Sequence, residues 1–151
     1  MYPKEFLENV IIPEFRDIVF RHPYLSFAML SIGIEFLGKC MLTEKKTWEI
    51  KPENAFKKGT ELLSSIDSNY SNVNLKELRN GFAHTLIPKK VLLSEVKHGT
   101  KHFDKDSSGK VVLVAEIFYR DFVIACQKIL ETEFGLEDKM NKDILKVGRL
   151  K

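Results

Sequence analysis

Leu75–Leu86 reads LKELRNGFAHTL, the one segment where a helical pattern and a set of reactive side chains coincide. Leu75, Leu78 and Phe82 recur at helical spacing and form one apolar stripe. Asn72 or Asn74 is placed to cap the start, and Pro88 is placed to stop the helix. Within little more than one turn the segment carries Arg79, Asn80 and His84. Residues four apart share a helix face and residues five apart differ by roughly 140°. Asn80 and His84 therefore lie together, and Arg79 reaches the same region by the length of its side chain. Gly81 costs about 1 kcal/mol in a helix interior relative to Ala. Close approach by another backbone or by a substrate would account for it. The plain alternative is an exposed Arg79–Glu77 pair and a solvated helix-end His84.

The preceding segments also read as helices. Phe6, Val10 and Ile11 open an apolar face that Phe15, Ile18 and Val19 continue. Pro13 either kinks that helix or starts a second one. Arg21-His22-Pro23 breaks the pattern, and a helix is expected from about Tyr24 to Lys45. Its stretch YLSFAMLSIGIEFLGKCML is apolar nearly all round, as suits a central helix or an interface. Glu35 and Lys39 within it argue against a membrane span. Ser31, Glu35 and Lys39 are spaced i, i+4, i+8 and make a polar seam on one face. Gly33 and Gly38 would allow close helix packing. Lys51-Pro52-Glu53 marks the start of a further helix, from Glu53 to about Ile66, and residues 67–74 read as a loop.

After Pro88 the period changes from 3.6 to 2. Residues 91–96 and the more strongly β-branched 110–117 predict two strands joined by a polar tip. Phe118, Phe122, Ala125 and Ile129 return to helical spacing as far as about Phe134. Leu136, Met140, Ile144 and Val147 sketch a last short helix with a basic outer face. The expected fold is mainly α: one domain over residues 1–151, an antiparallel bundle of four to five helices, with a small β-hairpin insertion at about 91–117.

Composition sets wide bounds. The 151 residues are 44% hydrophobic and 30% charged, an ordinary globular mixture with one good core. A formal net charge of +3 permits contact with nucleic acid without requiring it. Cys40 and Cys126 lie in apolar helical patterns and read as buried free thiols. No cysteine–histidine spacing suits zinc. His98, His102, Asp104 and Asp106 surround the hairpin tip, but Gly99, Lys101 and Lys105 make it a polar loop rather than a metal site. Asp104-Lys105-Asp106 lacks the remaining positions of a calcium loop. His22 beside Pro23 reads as local structure. No cofactor or metal is expected. No signal peptide is indicated, and the expected location is cytoplasmic.

The LRNGFAH segment resembles the signature of the HEPN superfamily, an Arg followed after four to six residues by His, often with a polar residue directly after the Arg. Arg79, Asn80 and His84 match the four-residue version, and Glu35 resembles the acidic residue that often accompanies it on the second long helix. The resemblance implies a helical bundle and, in many members, a homodimer whose two motifs face one cleft. Active members are metal-independent endoribonucleases of toxin, abortive-infection and other defence systems. On that basis Arg79, Asn80, His84 and Glu35 are the expected catalytic set, and Lys39 and Ser31 the expected substrate contacts. Cleavage would proceed by 2′-hydroxyl attack to leave a 2′,3′-cyclic phosphate. RNA and a cognate antitoxin or other partner protein are the implied partners, with Lys139, Lys142, Lys146 and Arg149 as further backbone contacts. The alternative is a non-catalytic dimeric module that binds a nucleotide, an RNA or a protein, with Arg79 and Glu35 as a structural ion pair.

Overall fold

The computed structural model describes residues 3–41 and 50–132. Its described elements are α1 (Pro3–Phe6), a π-helical turn (Leu7–Ile11), α2 (Ile12–Arg21), α3 (Pro23–Met41), α4 (Pro52–Ile66), a 3-10 turn (Ser68–Asn72), α5 (Leu75–Thr85), β1 (Val91–Ser94), a second 3-10 turn (Val96–His98), β2 (Val111–Val114) and α6 (Ala115–Leu130). The protein is mostly helical with one small two-stranded sheet. Residues 42–45 of the expected third helix, the end of the expected helix to Phe134, and the basic last helix lie outside the described residues.

α3 is the axis of the structure. It packs against α2, α4, α5 and α6. Phe27, Leu30, Ile34 and Leu37 supply its buried side. The contact with α4 is made by backbone: a Cβ on Gly38 would collide with the Ala55 carbonyl, and one on Gly59 with the Ile34 carbonyl. Gly33 likewise admits the Phe122 ring of α6. α4 is built for this approach, because Ala55, Gly59, Leu62 and Leu63 share one face and are buried.

Pro13 starts the second helix, one of its two expected roles. It sits in the first turn of α2, directly after the π turn, where the Ile12 N–H reaches the Leu7 carbonyl. A proline in a helix removes one donor and crowds the carbonyl four residues back. The wider π turn absorbs that clash and the helical path continues. Asn74 is the N-cap of α5, its Oδ1 accepting the Glu77 N–H at 3.1 Å. The C-cap is Leu86 in the left-handed region (φ 56°), after which the chain folds back until the Ile87 carbonyl sits against Gly81. Gly81 is thus explained by close approach of the chain's own backbone.

The sheet corrects the expected hairpin. β1 and β2 pair in parallel, with Val91 opposite Val111 and Ser94 opposite Val114. The turn signal Asp106–Gly109 does form a tight reversal: the Asp106 carboxylate accepts the Ser108 and Lys110 N–H groups, and Gly109 takes φ 79°. That reversal returns residues 110–112 antiparallel to 103–106, through Phe103 N–H to Val112 O and Val112 N–H to Asp104 O. Phe103 in the left-handed region (φ 68°) interrupts regular pairing. β1 therefore lies on the other edge of β2, reached by a crossover long enough for parallel pairing. The second strand also ends earlier than its β-branched run, because α6 begins at Ala115.

Replacing Gly59 by Ala should destabilise the protein by about 1–3 kcal/mol, the range for overpacking a tight core. Gly99→Asn, at a left-handed position with nothing near its missing Cβ, should cost far less. Urea denaturation of the two variants checks the contrast.

Candidate functional site

Two packed helices, α3 and α5, carry the polar centre. Near one end of their contact the Tyr24 ring of α3 meets Phe82 of α5 edge-on, and the Tyr24 hydroxyl donates to the Leu86 carbonyl at 2.6 Å. Toward the other end Glu35 meets Arg79. Arg79 Nη1 donates to Glu35 Oε2 at 3.1 Å, and Lys39 Nζ lies 3.4 Å from Glu35 Oε1. Arg79 Nη2 also reaches Asn80 Oδ1 at 3.4 Å. The guanidinium carbon stands 4.6 Å from the centroid of the Phe56 ring on α4.

One carboxylate thus holds two cations. The three side chains are 20–24% exposed, so they are neither in free solvent nor sealed away. Phe56 and Glu35 fix the plane of the guanidinium, while its planar fork has more donors than these two bonds use. Pairing with Glu35 takes the place of the exposed Arg79–Glu77 pair that spacing alone would allow. The arrangement can present N–H donors to a phosphoryl oxygen at the protein surface.

The structure brings together Arg79, Asn80, Glu35 and Lys39. Neither His84 nor Ser31 bonds to them. His84 is exposed in the last turn of α5, on the side away from the core, with no hydrogen bond among the described residues. Ser31 is fully buried, and its hydroxyl donates to the Ala28 carbonyl at 2.9 Å within its own helix. It shares the face of Glu35 but offers no surface to a substrate.

A second polar cluster was not anticipated from sequence. Val114 N–H donates to His102 Nδ1 at 2.9 Å, so the ring proton sits on Nε2, 3.1 Å from the Tyr70 hydroxyl. Tyr70 in turn donates to Asp121 Oδ2 at 2.8 Å. Asp121 Oδ1 accepts Nε and Nη2 of Arg120 at 3.0 and 2.8 Å. Tyr70 and Asp121 are buried, and burial first, then the Asp121 charge, pushes the Tyr70 hydroxyl far above its usual range. This chain of bonds ties β2 and the loop before it to α6 and to the turn after α4. The available signal was Asp121 itself, an acid set between Phe118 and Ala125 at the spacing of the apolar stripe. Of the histidines near the loop tip, His98 is exposed and His102 turns inward. Among the described residues no group of three or more potential ligands is arranged to hold a metal ion.

Both cysteines are buried and free, and burial raises the Cys40 thiol to about 12. No protein-family model, curated protein or solved structure matches the chain.

Burial lowers His102 to about 4 from an ordinary 6.5, against the opposing pull of Asp121 and Asp67. Protonating Nδ1 would also set two donors face to face. The network's contribution is complete above the unfolded value and is lost as pH falls through the window from 6.5 toward 4. His102→Gln keeps an acceptor and a donor without titrating. Its unfolding free energy should fall less steeply than that of wild type across this window, as measured by urea denaturation at several pH values.

Proposed function

We propose that this chain is a metal-independent endoribonuclease of the HEPN type, its helices arranged as an antiparallel bundle. The observation that carries the reading is Arg79, gripped by Glu35 and stacked on Phe56, with donors left over at a partly open surface. An arginine held this way is preorganised for charge that develops on a phosphoryl oxygen.

In the proposed reaction the ribose 2′-oxygen attacks the adjacent phosphorus. The P–O5′ bond breaks as the 2′-O–P bond forms. A proton leaves the 2′-hydroxyl and another reaches the departing 5′-oxygen. Arg79 stabilises the equatorial oxygens, Asn80 and Glu35 hold its guanidinium, and His84 moves a proton. Lys39 adds positive charge beside Glu35.

His84 is exposed and makes no hydrogen bond with the Arg79 cluster, which fits a cleft shared by two subunits. We assign the dimer contact to the outward side of α3. Leu25 and Ile32 are 52% and 48% exposed there, Met29 lies between them, and Leu86 and Ile87 adjoin beside Tyr24. Spacing at i, i+4, i+7 makes a continuous apolar stripe suited to a second copy. By length and composition α3 would also pass as a membrane span, yet half of it is buried within the protein. A cytoplasmic toxin or phage-defence nuclease, checked by a cognate antitoxin, is the biological setting this reading favours.

One observation favours the second reading, a non-catalytic dimeric module that binds a nucleotide, RNA or protein. Arg79 joins three helices through one side chain, bonded to Glu35 of α3 and stacked on Phe56 of α4, as a structural brace would be.

Cleavage of a mixed-sequence RNA in EDTA separates the two. Wild type should yield 2′,3′-cyclic phosphate and 5′-hydroxyl ends. Arg79→Ala and His84→Ala should stay folded and lose about 100-fold or more in rate, as befits loss of an electrostatic or proton-transferring group. Equal cleavage by all three proteins, or none by any, would overturn the nuclease reading.

A further inference from the structure

The strongest unassigned feature is a groove that leads away from Arg79 along α4. A depression of about 190 Å³ lies against Arg79, Phe56, Lys57 and Lys76. A larger one of about 880 Å³ shares Phe56, Lys57 and Lys76 with it and continues past Ser64, Ser71 and Asn72. The three shared residues make the two depressions one path. The path ends on the guanidinium that Glu35 and Phe56 hold.

The groove walls come from two sources. Lys57, Thr60 and Ser64 lie at i, i+3, i+7 on one face of α4, a span of roughly 10 Å at 1.5 Å per residue. The opposite wall is the 3-10 turn and the start of α5, which carries Lys76 one turn before Arg79. Lys57 and Lys76 are exposed, and neither has a carboxylate partner among the described residues. Glu61 on the wall is already held by Lys58 at 3.0 Å, and Glu53 stands at the narrow end. What the path offers is a cluster of three cations, Lys57, Lys76 and Arg79, at its narrow end and a run of hydroxyls and amides beyond them, over a floor of Phe56, Val73 and Leu75. Such a surface recognises a phosphodiester backbone with little demand on base identity. At about 3.4 Å per stacked nucleotide, a wall of roughly 10 Å spans about three nucleotides.

We infer that this groove is the track for single-stranded RNA flanking the cleaved phosphate, with Lys57 and Lys76, one on each wall, holding the backbone beside Arg79 at its end. The choice of polymer rests on the ribonuclease reading above. The groove makes Lys57 and Lys76 binding residues that do not act on the reacting atoms. Truncated substrates that stop at the Arg79 end should bind weakly, because they give up the length of the track.

The test is fluorescence anisotropy with a labelled 2′-O-methyl 12-mer, which cannot undergo 2′-hydroxyl attack, so that binding is read apart from cleavage. Wild type is compared with Lys57→Ala/Lys76→Ala, both confirmed folded by circular dichroism. The double variant should bind about tenfold more weakly. The slope of log affinity against log salt should fall by about 0.7 for each lost phosphate contact. That result supports the groove even where the same protein fails to cleave RNA, in which case only the nuclease reading falls. Unchanged affinity and slope in the double variant, or no binding of the 12-mer by wild type, overturns the groove. If wild-type cleavage persists in that case, the nuclease reading survives.

Discussion

Backbone touches backbone where α3 crosses α4, at Gly38 and Ala55 and again at Ile34 and Gly59. Helices with ordinary side chains at a contact stand about 8–10 Å apart, the spacing depending on those side chains. Removing the side chains at Gly38 and Gly59 draws the two helices together, and Glu35 and Phe56 come with them, one from each helix. Arg79 enters between them from α5. Glu35 supplies its counter-charge and Phe56 its flat support. Any substitution that pushes α4 outward would carry Phe56 away from the guanidinium and widen the groove beside Lys57. The geometry of the polar site is therefore set by two residues that carry no functional group.

Much of the helical part was legible because period and punctuation agreed. Pro23 and Pro52 open α3 and α4, Asn74 caps α5, and the apolar stripes lie where the spacing puts them. The sheet was not legible in the same way. A β-branched run and a turn signal identify a strand and a reversal, but they do not name the strand across the ladder. The reversal at Asp106–Gly109 pairs β2 with its immediate neighbours at 103–106, and β1 joins in parallel from farther back. Pro13 was ambiguous for a related reason, since a π turn leaves no mark in the hydrophobic period.

For the site, helical spacing linked Glu35 to Lys39 and singled out Arg79, and the three meet as a cluster. Spacing overreached for Ser31, where a shared face did not imply a shared surface. It also could not say where His84 points relative to Arg79, because roughly 140° around a helix puts two residues of one short motif into different environments. Tyr70 and Asp121 escaped notice, and His102 read only as part of a polar loop, because the three come from separate segments. Only Asp121, set in an apolar stripe, hinted that a buried polar partner was required.

In the function proposed for this protein, Arg79 serves attack by a ribose hydroxyl on phosphorus. The most direct measurement uses a short RNA with one 2′-deoxy nucleotide immediately 5′ of the phosphate that wild type cuts. Attack by the 2′-oxygen predicts that cutting at that phosphate disappears while cutting at other phosphates continues. Cleavage of the substituted linkage at an undiminished rate would contradict it.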